Sequence, residues 1–151
     1  MGRWSIITVR TWLRDYLPKL AKRLGITLYH FSNNGSHIHV VLNAPSRAAQ
    51  ASFLRALAGM IARRVLKAEK GNGSGVNFWT ERPYSRLVTW GREFSNVMLY
   101  VHRNLMEAAG LIPYFERDGE LPEFWRRRIT ISLSRMGPRI HGWATGQGQL
   151  F

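Results

Sequence analysis

Ile26-Thr27-Leu28-Tyr29-His30-Phe31, then Asn33-Asn34-Gly35, then Ser36-His37-Ile38-His39-Val40-Val41-Leu42 is the stretch that decides the fold. Both flanking runs are rich in β-branched and aromatic residues, which suit a pleated strand. The Asn-Gly between them tolerates positive φ and signals a hairpin. The two runs are therefore expected as antiparallel neighbours, with His37 and His39 on the later strand. Side chains two apart on a strand share a face. Two imidazoles can then converge on one cation while Ile38 and Val40 point into a core.

Working outward, Trp4 to Val9 reads as a short first strand. Arg10 to Leu24 reads as a helix, with Pro18 expected to kink it or delay its start, and Gly25 to stop it. Downstream, Ser46 is a good N-cap for a helix running to about Lys70, whose Phe53, Leu54, Leu57, Met60, Ile61 and Val65 form an inward stripe. Gly71 to Gly75 reads as a flexible loop. Val76 to Trp79 and Ser85 to Trp90 are expected as two more strands around Glu81-Arg82-Pro83. Arg92 to Ala109 reads as a helix with a buried stripe of Phe94, Val97, Met98, Val101 and Leu105. Another face carries Glu93, Asn96, Tyr100, Asn104 and Glu107. Gly110 closes this helix and Pro113 prevents its resumption. Ile129 to Leu133 alternates like a strand, and Gly142 to Phe151 reads as a mobile end. This order implies an α+β protein, an antiparallel sheet with helices on one face in a ferredoxin-like sandwich. The expected division is a domain over 1–113 and a basic C-terminal extension over 114–151.

The 151 residues carry 22 Lys+Arg against 9 Asp+Glu, a formal net charge of +13. Eighteen of the 22 bases are Arg, whose planar fork suits phosphate. With 6 Trp, 5 Tyr and 7 Phe beside them, the expected partner is nucleic acid. The bland explanation of such charge is a solvated basic surface. No cysteine is present, which excludes disulfides, thiolate metal sites and Cys nucleophiles. No apolar run approaches membrane-spanning length and the N-terminus lacks a signal-peptide pattern, so no membrane partner and a cytoplasmic location are expected.

The chemistry lies in two motifs. Besides His37-Ile38-His39, the run Tyr100-Val101-His102-Arg103-Asn104 sits in a helical pattern. Positions four apart on a helix share a face, so Tyr100 and Asn104 project together. Two imidazoles and one amide oxygen suit Mg²⁺ or Mn²⁺ with positions open for phosphate oxygens. They match structural zinc poorly, since it prefers four firm ligands. Tyr100 is then the candidate nucleophile. Each piece has an ordinary explanation: strand histidines often face solvent, a helical Tyr often packs, and Asn is a poor helix former. Their joint occurrence with strong basicity favours function. His30 is expected to be structural. His102 lies about 200° around the helix from Tyr100 and is not assigned to the site.

At these residues the chain resembles the single-tyrosine HUH transposases, the REP-associated tyrosine transposases and IS200-like transposases. The matching segments are Leu28 to Ser32, Asn34 to Leu42 with Ala44-Pro45, Phe78 to Arg86, and Leu99 to Leu111. The resemblance implies an HUH endonuclease fold in a bacterial, nucleoid-associated protein of a mobile element. It implies that His37 and His39 are metal ligands and that Asn104 completes the set where many relatives use Gln. It implies that Tyr100 forms a 5′-phosphotyrosine on single-stranded DNA and releases a 3′-hydroxyl. Relatives bind an imperfect DNA hairpin, which Trp79, Tyr84 and Trp90 could stack on. Arg82, Arg86, Arg63, Arg126 and Arg127 are the candidate DNA contacts, and a homodimer is a candidate assembly. The alternatives are a non-catalytic DNA or RNA hairpin binder that retained the fold, and a metal-dependent nuclease using activated water.

Overall fold

The computed structural model describes residues 6–67, 77–116 and 119–136. The expected loop 71–75, residue 76 and the expected end 142–151 lie outside them. Among these described residues, four α-helices, one 3₁₀ turn and two strands give an α+β arrangement. The elements are α1 (Arg10–Arg23), β1 (Thr27–Asn33), β2 (Ile38–Asn43), α2 (Arg47–Val65), α3 (Arg92–Ala108) and α4 (Glu123–Ser134). They divide into two compact units, and the hairpin contributes to both. The first holds residues 1–28, 33–38 and 42–86; the second holds 29–32, 39–41 and 87–151.

In the first unit α1 buries Leu13, Leu17, Leu20 and Ala21, and α2 buries Phe53, Leu57 and Ile61. These repeats at three and four residues are the apolar faces by which the two helices pack. Ser46 caps α2 by accepting the Ala49 N–H at 3.1 Å. Gly25, at φ +66°, closes α1 with two reverse bonds: its own N–H to the Lys22 carbonyl and the Ile26 N–H to Ala21. Pro18 neither breaks α1 nor delays it. One missing backbone bond is outweighed by the buried leucines on both sides.

The expected first strand is not formed over its described part. Ile6–Val9 is a 3₁₀ turn leading into α1. Residues three apart eclipse in such a turn, so Ile6 and Val9 are both buried. The backbone of Ile6 meets the hairpin turn instead of a strand: its N–H donates to the Gly35 carbonyl, and its carbonyl accepts from Asn33 Nδ2 at 2.9 Å.

The hairpin forms, with β1 and β2 as neighbours. Gly35 takes φ +87° at its tip, and the Asn34 N–H donates to the His37 carbonyl at 3.0 Å. An unbroken antiparallel ladder from that bond sets Ser32 opposite His39 and His30 opposite Val41. Leu28, His30 and Ser32 are buried along one face of β1.

Among the described residues the sheet has these two strands only. Residues 77–79 and 85–89 have no regular structure. Positions 80–87 are all exposed, and Pro83 has no N–H to offer a ladder. The expected strand over Ile129 to Leu133 is the end of α4. Ile129 and Leu133 are buried one turn apart while Ile131 is exposed, so one alternating run also satisfies a helical face. Pro122 and Glu123 start that helix in the manner of an N-terminus.

Within the second unit, Phe94, Met98 and Val101 of α3 pack with Val41 and with Leu133 of α4. Met106 packs with Ile112 and Ile129. The Arg103 guanidinium donates to Glu107 at 2.8 Å and to the Phe115 carbonyl at 2.6 Å, tying the segment after α3 back onto it.

Candidate active site

Three of the four expected chemical residues belong to the second unit. His39 lies on β2 and Tyr100 on α3, and their rings meet edge to face with centroids 5.5 Å apart. Tyr100 is 43% exposed. Asn104 follows one turn later, as the spacing requires, but is only 2% exposed. Ile112 and Ile129 of α4 pack on the other side of α3, at Met106.

His37 lies in the first unit and just ahead of β2, not within it. It is exposed in the turn. Asn34 Nδ2 donates to His37 Nε2 at 3.2 Å, and His37 Nδ1 is 2.9 Å from Ser36 Oγ. With Nε2 accepting, a neutral ring keeps its proton on Nδ1 and donates to Ser36. Such an arrangement would hold a ligating histidine by its far nitrogen. The Nε2 lone pair is the one a cation would claim, at the expense of an exposed bond to Asn34. Among the described residues no group of three or more His, Asp or Glu could hold a metal.

The candidate DNA contacts fall in both units. Arg63, Arg82 and Arg86 are exposed in the first. Arg126 and Arg127 are exposed on α4 in the second, with Arg126 3.8 Å from Glu123. Of the three expected stacking rings, Tyr84 stands 87% exposed. Trp79 donates its indole N–H to the Ala58 carbonyl at 3.0 Å, and Trp90 packs against Tyr29 and Phe94. Those two serve packing.

The sequence reading left one cluster unassembled. His30 Nε2 lies 3.1 Å from His102 Nδ1, and His102 Nε2 lies 3.0 Å from Ser132 Oγ. Both histidines are 3% exposed. Burial, then the charge of His102, lowers the His30 pKa to about 4; burial lowers that of His102. Both are neutral at pH 7. A signal existed: His30 alternates with buried Leu28, and His102 adjoins Val101 on the inward face.

No described helix is long and apolar enough to cross a membrane. A family model described as "Transposase IS200 like" matches residues 3–104. No curated protein and no solved structure matches the chain.

Proposed function

The chain belongs to the IS200-like transposase family, and from that premise we propose that it cleaves and rejoins single-stranded DNA through Tyr100. The observation that carries this reading is the His39–Tyr100 ring contact, which sets an exposed phenol beside an imidazole of the His-X-His pair. The phenol oxygen would bond to phosphorus as the bond from phosphorus to the 3′ oxygen breaks. The proton that Tyr100 gives up leaves to solvent, and the departing 3′ oxygen takes one up. A 5′-phosphotyrosine remains, and its bond energy is conserved for attack by another 3′-hydroxyl.

His37, His39 and Asn104 would hold Mg²⁺ or Mn²⁺. When bound, such an ion polarises and orients the scissile phosphate. The chain's own part is to orient each donor: Ser36 holds His37 by Nδ1, β2 carries His39, and α3 carries Tyr100 and Asn104 at one-turn spacing. The proposal includes single-stranded DNA with a hairpin as substrate, and the ferredoxin-like scaffold that such enzymes use. The exposed arginines and Tyr84 would hold its backbone and bases.

The test is incubation with labelled single-stranded DNA from flanking repeats plus Mg²⁺ or Mn²⁺, followed by a denaturing gel. A covalent adduct that disappears in Tyr100→Phe, while DNA binding persists, supports the reading. Cleavage that survives in Tyr100→Phe identifies a water-using nuclease. Binding with no adduct in either protein identifies a binder.

A further inference from the structure

His30, His102 and Ser132 come from three elements, β1, α3 and α4, and take no part in the chemistry above. His102 stands between Tyr100 and Asn104 in the chain, on the opposite side of α3. Its ring is engaged at both nitrogens, by the sheet on one side and by α4 on the other. Around it, Phe94, Met98 and Val101 of α3 make apolar packing with Val41 and Leu133, while the Arg103 bond to the Phe115 carbonyl ties α3 to the segment that follows it. Apolar contacts are non-directional and tolerate small rolls of a helix about its axis. A hydrogen-bonded imidazole does not, because its bonds weaken steeply away from alignment.

We propose that the His30–His102–Ser132 chain is a clamp that fixes the roll of α3 and so aims Tyr100 at His39; it rests on the phosphotyrosine reading. These are positioning residues and touch no substrate. The leverage is large. Helix side chains reach roughly 5–6 Å from the axis, so a 20° roll displaces their ends by ~2 Å. A misplacement of about 1 Å at a reacting group costs on the order of 100-fold in rate. The buried pair also explains why two polar rings occupy core positions. Two apolar residues would fill the space without setting an angle.

The experiment compares wild type, Ser132→Ala, Ser132→Thr and the double variant His30→Leu/His102→Phe. The last replaces the buried polar pair by apolar side chains and leaves neither imidazole stranded. Adduct formation is measured across DNA concentrations, and 3-fluorotyrosine labelling reports Tyr100 directly, its ¹⁹F resonance being the one lost in Tyr100→Phe. The expected result is a maximal adduct rate about 10–100-fold lower in the double variant, with half-saturating DNA unchanged and the Tyr100 resonance moved or broadened. Ser132→Ala loses several-fold, and Ser132→Thr, which keeps the hydroxyl, recovers it. Unchanged rate and unchanged resonance in a folded double variant, or in Ser132→Ala, overturn the clamp. A wild type that forms no adduct overturns the phosphotyrosine reading instead, and the ¹⁹F comparison still decides whether the clamp orients Tyr100.

Discussion

Acid should destabilise this protein through His30 well before most carboxylates are neutralised. In the fold the ring is buried against His102, and its pKa falls from 6.5 to about 4. The unfolded chain takes up a proton near pH 6.5, whereas the native chain resists until about pH 4. Between those values the unfolded state binds more protons, so stability falls as pH drops. Above pH 6.5 the group contributes no pH dependence, and below about 4 the loss levels off. At ~1.4 kcal/mol per pH unit the full loss is ~3 kcal/mol, and at pH 5 it is already ~2 kcal/mol. His102, also lowered by burial, adds to the loss in the same direction. Charging both rings would set one N–H against another across the 3.1 Å contact. The perturbation is His30→Gln, which retains a side-chain N–H but does not titrate. Urea unfolding followed by far-UV circular dichroism at pH 8, 6 and 5 gives both stabilities. Carboxylates shared by the two proteins cancel in the comparison. Wild type should lose about 2 kcal/mol more than the variant between pH 8 and pH 5. Parallel losses in the two proteins would refute the assignment of a buried, neutral His30.

Four further outcomes are expected. Arg103→Ala takes the guanidinium from Glu107, whose side chain is 7% exposed, and should cost about 3–5 kcal/mol in urea unfolding; a loss under ~1 kcal/mol would show that the pair is solvated. Ser46→Ala removes the cap on α2 and should cost ~1 kcal/mol, with Ser46→Asn close to wild type. Affinity for single-stranded DNA should fall steeply with salt, and Arg126→Ala/Arg127→Ala should flatten the log–log slope by about 1.4 if both touch phosphate; an unchanged slope removes α4 from the DNA interface. Chelation should abolish the Tyr100 adduct, Mg²⁺ or Mn²⁺ should restore it, and His39→Ala should bind DNA without responding to either ion.

Helices α1, α2 and α3 were legible because a helix is specified locally. Its apolar repeat, its cap at Ser46 and its stops at Gly25 and Gly110 lie within the segment itself. The hairpin was legible for the same reason, since Asn34-Gly35 joins two adjacent runs. The expected strands near Trp4, Trp79 and Ser85 had no such neighbour. A β-branched run becomes a strand only if a distant partner satisfies its backbone. Ile6 spends its N–H and carbonyl on the hairpin turn, and Glu81 to Leu87 stand in solvent. Ile129 to Leu133 failed differently, because a period of two and a pair one turn apart coexist in five residues.

The candidate site divides along the same line. His39 beside Tyr100 followed from strand parity, helix spacing and family resemblance taken together. His37 did not follow parity, since the turn claims both ring nitrogens before β2 begins. The His30–His102 contact joins residues 72 apart in the chain, and no local pattern announces it. Yet His30 was expected to be structural, and the helical period had placed His102 on the side away from Tyr100. A buried polar ring without a partner costs several kcal/mol, so two such rings at separate core positions call for each other. That demand is physical and reaches across the chain where periodicity does not. Had it been applied to His30 and His102, the clamp would have emerged from the sequence together with the nucleophile it is proposed to aim.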